Sequence, residues 1–430
     1  MLTVSLVAVD LERSAIAVPL VLIAIAAAWF AITRAGIRKR VAVAVCIVAL
    51  IGVLLTGFIG GPVAAIVSTA RVVSLIGAGF LGRMALGRDA RSLKDAPVPG
   101  RPVPPAGHGF LVVNPRSGDG KASRTGLVDA AGERGIDVEM LDEGSDLAAL
   151  VRRAIDRGAD VIGMAGGDGS QALVASIAAD RDVPMVVVPA GTRNHFAMDL
   201  GADRDDVVGA LDAFGEAVER RIDLGDVNGH VFVNNVSLGI YATIVRSPEY
   251  REAKVDTTLN TLQEALSPDS PPFDLRYTDE EGTRHDGAHL IQVSNGAYGE
   301  TLEGLTSRTS LDEQRLQIIT LEITDDRSMA SLVAAFAARH PERHDGYRSW
   351  TARTFEVTSG GPVDVGIDGE ARTMAPPLRF SIRDRPVRIR LPKTAIGYSP
   401  ASRALHWRSA LAGVWQVAMG RPAPIEPRGG

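Results

Sequence analysis

The chain has 430 residues, 46% of them hydrophobic, with a formal net charge of -5 and a single cysteine, Cys46. That length exceeds one ordinary core and the hydrophobic content excludes a disordered polymer, so two or more folded units are expected. The mildly acidic balance gives no bulk reason to expect nucleic acid, and one cysteine excludes an intramolecular disulfide.

From the N-terminus, Ala15 to Thr33 and Val41 to Ile59 run without a charge, each close to the ~20 apolar residues that a spanning helix needs. A third run, Val63 to Gly82, carries Arg71 in its middle, so it reads as a third span or an interfacial helix. Basic residues crowd Arg34 to Arg40 and Arg83 to Lys94, whereas Gly60, Gly61 and Pro62 form an uncharged turn. Under the positive-inside rule this predicts a transmembrane region over residues 1–95 of a multi-pass inner-membrane protein, with everything after residue 83 cytoplasmic. Residues 96–108 are rich in proline and glycine and read as a semi-rigid linker.

From Phe110 the pattern changes. Short apolar strands at Phe110 to Val113, Val138 to Leu141, Asp160 to Met164 and Pro184 to Pro189 alternate with helix candidates. The helices are expected over Ser123 to Arg134, Asp146 to Arg157, from about Gln171, and after Leu200. This alternation predicts an α/β fold with a parallel sheet, in which ligands bind beyond the carboxyl ends of the strands. Three glycine-bearing loops should converge there: Asn114 to Lys121, Gly166 to Ser170 and Gly191 to Asn194. Glycine permits close backbone approach, and free amides at a helix start suit a phosphate. Neither the Walker A spacing nor the dinucleotide fingerprint is present.

From Arg221 onward, short alternating runs separated by turn residues indicate strands, interrupted by helix candidates at Val255 to Leu266 and Ser328 to Arg339. The segment Asp368-Gly369-Glu370 has two readings. It is a strong hairpin-turn signal with solvated acids, or a pair of carboxylates presented to one cleft by the period of a strand. The tail from Ser402 to Gly420 suggests an amphipathic helix.

In this order, "VVNPRSGDGKA", "GGDGS", "VVPAGTRNHFAMDLG", "FVNNVSLGIYA" and "VGIDGE" resemble the diacylglycerol kinase catalytic family, which includes bacterial lipid kinases and sphingosine kinases. The resemblance covers roughly Gly109 to Pro392. It implies an α/β ATP-binding domain, here 109–220 with 379–420, and a β-sandwich substrate domain, here 221–378, with the active site between them. The activity it implies is transfer of the ATP γ-phosphate, with Mg²⁺, to a hydroxyl of a diacylglycerol-like lipid in the bilayer.

Residue by residue, the resemblance places Gly166, Gly167, Gly169 and Ser170 on the donor phosphates and Asp168 in the magnesium and nucleotide network. Asn114, Ser117, Gly118, Lys121, Gly191, Thr192 and Asn194 line the nucleotide site. Asp368 becomes the general base or orienter of the lipid hydroxyl, with Glu370 beside it. Three departures stand out: Ser170 for the usual threonine, His195 where many members carry aspartate, and Gln314 where glycine usually follows two acids. Asp312 or Glu313 is the expected ligand of a structural ion. The altered positions motivate a catalytically degenerate binding module as the alternative. The shared GGDG element keeps open a kinase of a soluble substrate, similar to NAD kinases.

Overall fold

The computed structural model describes residues 98–240, 273–298, 307–322 and 344–402, with short helical pieces between residues 19 and 55. The chain divides into two units, Met1–Ala96 with Leu405–Glu426 and Pro97–Ala404 with Pro427–Gly430.

The expectation of a multi-pass inner-membrane protein is corrected. Among the described residues, no helix is long and apolar enough to cross a membrane. The predicted spans at 15–33, 41–59 and 63–82 lie outside the described residues apart from short helical pieces. The cytoplasmic placement rested on those spans and goes with them. The helix candidates at 255–266 and 328–339 also lie outside the described residues, as does the tail after Ser402.

The second unit begins with β1 (Arg101–Val103), β2 (Gly109–Val113), α1 (Lys121–Arg124), α2 (Leu127–Glu133), β3 (Asp137–Met140) and α3 (Leu147–Asp156). It continues with β4 (Val161–Gly166), α4 (Asp168–Asp180), β5 (Met185–Pro189), α5 (His195–Asp199), β6 (Ala217–Val227), β7 (His230–Phe232) and β8 (Asn235–Gly239). Then follow β9 (Arg276–Thr278), β10 (Arg284–His285), β11 (Leu290–Asn295), β12 (Leu316–Leu321) and β13 (Tyr347–Ala352). The last strands are β14 (Thr354–Thr358), β15 (Val363–Ile367), β16 (Glu370–Met374) and β17 (Leu378–Pro392).

Strand β4 pairs in parallel with β2 and β5, and β2 with β3. All six residues of β4 are buried, as befits a parallel strand covered on both faces. One face packs on α3, α4 and α5 through residues such as Leu150, Val174 and Phe196. The other packs on α1 and α2 through Ala122, Leu127 and Ala131. Asp146 starts α3 by accepting the Ala149 N–H at 3.1 Å, which satisfies one of the free donors of the first turn.

Strands β6 and β17 pair antiparallel from Ala217 opposite Pro392 to Val227 opposite Phe380, with an irregularity between Arg383 and Val387. The late half of β17 runs parallel to β5, whereas its early half pairs with β14. One strand thus belongs to both the helix-covered sheet and the strand-rich half. A second, antiparallel sheet has the order β13-β12-β11-β8-β15-β16, and its buried face joins the early half of β17 in a core containing Trp350, Phe355 and Phe380. The fold is therefore mixed α/β, with a parallel sheet and a second, antiparallel sheet.

Three local details differ from the sequence expectations. The segment read as linker contains β1, an edge strand in which Arg101 lies opposite Glu219; Pro102 lacks an N–H and is tolerated at an edge. The helix expected over Ser123 to Arg134 is broken by Gly126 at φ 66°. Helix α4 begins at Asp168, three residues before Gln171.

Candidate active site

The three glycine loops meet. A Cβ on Gly191 would stand 2.6 Å from Gly167 Cα, and one on Gly118, at φ 57°, would stand 2.5 Å from Ala190 O. Only bare backbones can approach that closely. Gly167 differs: its backbone is ordinary, at φ -85°, and a Cβ there would meet only Ser117 Oγ at 3.6 Å and Gly191 Cα at 3.9 Å.

Most polar side chains in these loops hold the loops themselves. Asn194 Oδ1 accepts the Gly191 N–H at 2.8 Å, and its Nδ2 donates to Pro189 O at 3.1 Å and Gly191 O at 2.8 Å. Asn114 Oδ1 accepts from Arg116 N at 3.1 Å, and Ser170 Oγ donates to Gly167 O at 2.8 Å. Lys121 Nζ donates to Pro189 O at 3.1 Å and Arg204 O at 3.0 Å. Asp168 accepts the His195 N–H at 3.1 Å and the Phe196 N–H at 3.3 Å, so it caps α5 and locks the second loop to the third. Lys121, Thr192, Asn194 and His195 line a cleft of about 390 Å³.

Asp368 and Gly369, at φ 49° and 86°, form the turn between β15 and β16. The segment is thus the hairpin turn of one reading, but Asp368 is not a solvated acid, and because it lies in the turn it does not share the face of an extended strand with Glu370 as the other reading had it. The Asp368 side chain turns inward, where Oδ2 accepts the Val233 N–H at 2.9 Å and Oδ1 accepts those of Asn234 at 2.8 Å and Asn235 at 3.1 Å. Successive amides aimed at one anion form a nest. A carboxylate offers about four lone-pair sites, so one on Oδ2 is left over.

Protein surrounds the Asp368 carboxyl although the residue keeps partial solvent access at the cleft. Burial is the largest influence and pushes it up to about 7; the Asp168 charge adds to the rise, and the amides and Arg308 oppose it. Glu370, with a side chain 58% exposed, pairs loosely with Arg372 at 3.6 Å. Asp368 and Glu370 share a cleft of about 320 Å³ with Gly169 and Ser170. A larger cleft, about 990 Å³, is lined by Tyr277, Trp350, Phe355 and neighbours and includes none of these residues. The smaller one carries the candidate chemistry because both acids and the glycine turn border it.

Several residues of the site lacked a sequence signal. Arg308, only 1% exposed, donates from Nε to Asp199 Oδ2 at 2.6 Å and from Nη2 to Asn234 Oδ1 at 2.8 Å. Asn235 Nδ2 donates to Tyr298 Oη at 2.9 Å. Asp199 and the two asparagines sit in the quoted motifs, whereas nothing around Arg308 marks it as buried.

Asp312 and Glu313, the expected ligands of a structural ion, are not among the residues lining the cleft of Asp368 and Glu370. Asp312 accepts from the Ser310 hydroxyl, and Gln314 takes the left-handed conformation at φ 58° despite its side chain. Its N–H donates to Asp223 Oδ2 at 2.6 Å. Burial, with Asp312 and Asp223 nearby, pushes Glu313 up. Among the described residues, no group of three or more His, Cys, Asp or Glu side chains is arranged to hold a metal.

Residues 108–227 match the diacylglycerol kinase catalytic domain. A diacylglycerol kinase of Bacillus subtilis is 28% identical over 242 residues, 54% of this chain and 78% of that protein. A protein named as a probable lipid kinase from Cronobacter sakazakii is 25% identical over 272 residues, 61% of this chain and 88% of that one. A solved structure from Bacillus anthracis, named as a diacylglycerol kinase, superposes with a TM-score of 0.52 at 19% identity. It covers 66% of this chain and 96% of its own, and shows the fold. The chain carries a diacylglycerol kinase catalytic domain over residues 108–227, and with its similarity to these kinases this makes it a lipid kinase enzyme.

Proposed function

We propose that this lipid kinase transfers the ATP γ-phosphoryl group to a hydroxyl of a diacylglycerol-like lipid, with Asp368 as the base. The observation that carries the reading is the shared cleft, which has Gly169 and Ser170 on one side and Asp368 and Glu370 on the other. Phosphoryl transfer is mostly a matter of positioning and electrostatics, and the two requirements are met by different parts of the fold.

The loop surfaces fit a polyphosphate: Gly167 presents bare backbone where a side chain would fill the space, with Ser117 Oγ facing it. Asn194, Lys121 and Asp168 act by holding those loops in place. A magnesium ion brought by the nucleotide would neutralise charge on the transferring group, and one or two carboxylates beside phosphate oxygens are the usual protein contribution. Asp168, whose carboxylate keeps lone pairs beyond those that accept the His195 and Phe196 amides, would supply it. In the reaction, the lipid hydroxyl gives its proton to Asp368 Oδ2 as its oxygen bonds to the γ-phosphorus, and the bond from that phosphorus to the bridging oxygen breaks, releasing ADP. A proton affinity near neutrality suits a base that must be free at the start and accept a proton during the step.

The test is incubation of the purified full chain with γ-labelled ATP, Mg²⁺ and a panel of lipid alcohols in mixed micelles. Label is expected in the phosphorylated product of a diacylglycerol-like lipid. Transfer to a soluble acceptor instead, or to none of the panel, would overturn the reading.

A further inference from the structure

Arg308 is a fully buried cation on the segment before β12, and the catalytic proposal gives it no role. Besides Nε, its backbone N–H donates to Asp199, at 3.2 Å. Its Nη1 donates to Val233 O and, at 3.1 Å, to Asn295 O, while Nη2 reaches Asn234 Oδ1. Val233 and Asn234 are two of the three residues whose N–H groups hold the Asp368 carboxylate. One planar guanidinium therefore grips, through a carbonyl and a side-chain amide, the same peptides that grip Asp368 through their amides.

The other end of this arrangement reaches the glycine turn. Asp199 is the last residue of α5, and the first N–H groups of α5 are the ones that Asp168 accepts. A continuous set of contacts runs from Asp168 through α5, Asp199, Arg308 and the Val233–Asn234 peptides to Asp368. The fork geometry of arginine satisfies several fixed acceptors at once, which a lysine ammonium cannot reproduce. A buried pair that served packing alone would have no need of these particular acceptors.

We propose that Arg308, anchored by Asp199, is the positioning residue of Asp368: it fixes the peptides that cradle the carboxylate and supplies the positive field behind it. Among the described residues, the charged and titratable groups around Asp368 are Asp168 at the start of α4, His230 on β7, Glu370 and Arg372 on β16, Tyr298 beside Asn235, and the Asp199–Arg308 pair. Of these, only Arg308 combines a charge with a direct hold on the cradle. The consequence for turnover rests on the base role proposed above, whereas the effect on the Asp368 proton does not.

The proton can be read without turnover. A carboxyl that binds its proton more tightly when folded contributes stability at low pH, and this is lost as pH rises from the unfolded value of about 3.9 to the folded value of about 7. Thermal melting of the full chain and its Asp368→Asn variant from pH 4 to 9 isolates this loss as the difference between the two curves. Repeated in an Arg308→Met background, the upper end of the loss should move to higher pH by about one unit, the scale of a lost opposite charge. In an Asp199→Asn background the guanidinium is unbalanced, and the upper end should move to lower pH. A purely structural bridge would lower every melting temperature without moving these midpoints in opposite directions. No movement in either background, or movement in the same direction, overturns the proposal. If Arg308→Met does not melt cooperatively, Arg308→Lys replaces it: charge is kept, so the upper end should stay near the parent's, and a rise of a full unit would overturn the electrostatic role. Turnover on dioleoylglycerol micelles, measured with the same proteins, separates the two readings. Activity retained in Asp368→Asn refutes the base, whereas a lost activity with immobile midpoints refutes only the role of Arg308.

Discussion

The glycine turn that opens α4 and the Asp368 hairpin border one cleft but are built on opposite principles. In the loops, side chains hold the backbone, as Asn194 does at Gly191 and Ser170 at Gly167, and Gly167 presents bare peptide. At the hairpin, the backbone amides of Val233, Asn234 and Asn235 do the holding, and the Asp368 side chain is what they hold at the cleft. A phosphate chain needs many weak donors at close range, which backbone supplies well. Proton transfer needs one group with a tuned affinity, which requires an enclosed side chain.

The sharpest way to break this division is at the hairpin. Asp368→Asn should lower kcat by about 10² or more, with KM for ATP little changed, because the group acts chiefly in the transition state. In the parent, kcat should rise with pH through about 7 as Asp368 loses its proton; a flat profile between pH 5.5 and 8 would remove the base role. Steady-state kinetics across that range checks both.

Next in size is Gly167→Val. Because a Cβ there has room and the backbone is ordinary, the chain should fold with nearly the parent melting temperature while ATP affinity falls about tenfold or more, which corresponds to about 1.4 kcal/mol. Gly191→Val should instead disturb the loops themselves, since its Cβ would press on Gly167. Calorimetric titration beside thermal melting tells the two apart. If Gly191→Val melted like the parent, the close loop contact would lose its importance.

Asp168→Asn should cost about 1 kcal/mol of stability, as for a weakened helix cap, and should weaken ATP binding at fixed Mg²⁺. Chemical denaturation and nucleotide titration measure the two parts. Smallest is Glu370→Gln. Its side chain is 58% exposed and 3.6 Å from Arg372, so a stability change beyond about 1 kcal/mol is not expected. A kcat loss as large as that of Asp368→Asn would make the two acids equal partners.

How far the sequence revealed this site depended on the kind of signal. Parallel strands such as β4 were legible as apolar runs ending in glycine, because burial on both faces leaves a local mark. The start of α4 was placed late because "GDGS" reads as loop; Asp168 and Gly169 are helical although glycine weakens helices. The grouping of the three loops also followed from their shared position after strands. Arg308 was invisible for the opposite reason. Partners that enclose it, such as Val233 and Asp199, lie more than seventy positions away in the chain, and no local period records that. The apolar runs near the N-terminus show the reverse hazard: hydropathy over about 19 residues is a statement about composition, and among the described residues no helix is long and apolar enough to cross a membrane.

The shared strand has a consequence for how the molecule is made. Strand β5 has β4 on one side, and on the other it pairs with β17 at Met185 opposite Ile389, roughly 200 residues later in the chain. During synthesis the sheet that carries the glycine loops therefore emerges with an open flank and must wait for the entire strand-rich half before its last neighbour arrives. Contacts so distant in sequence slow folding and prolong exposure of an unpaired strand. A nascent chain arrested before residue 378 should hold the glycine loops without a finished sheet beneath them, so nucleotide binding is expected to be acquired late, near the end of translation.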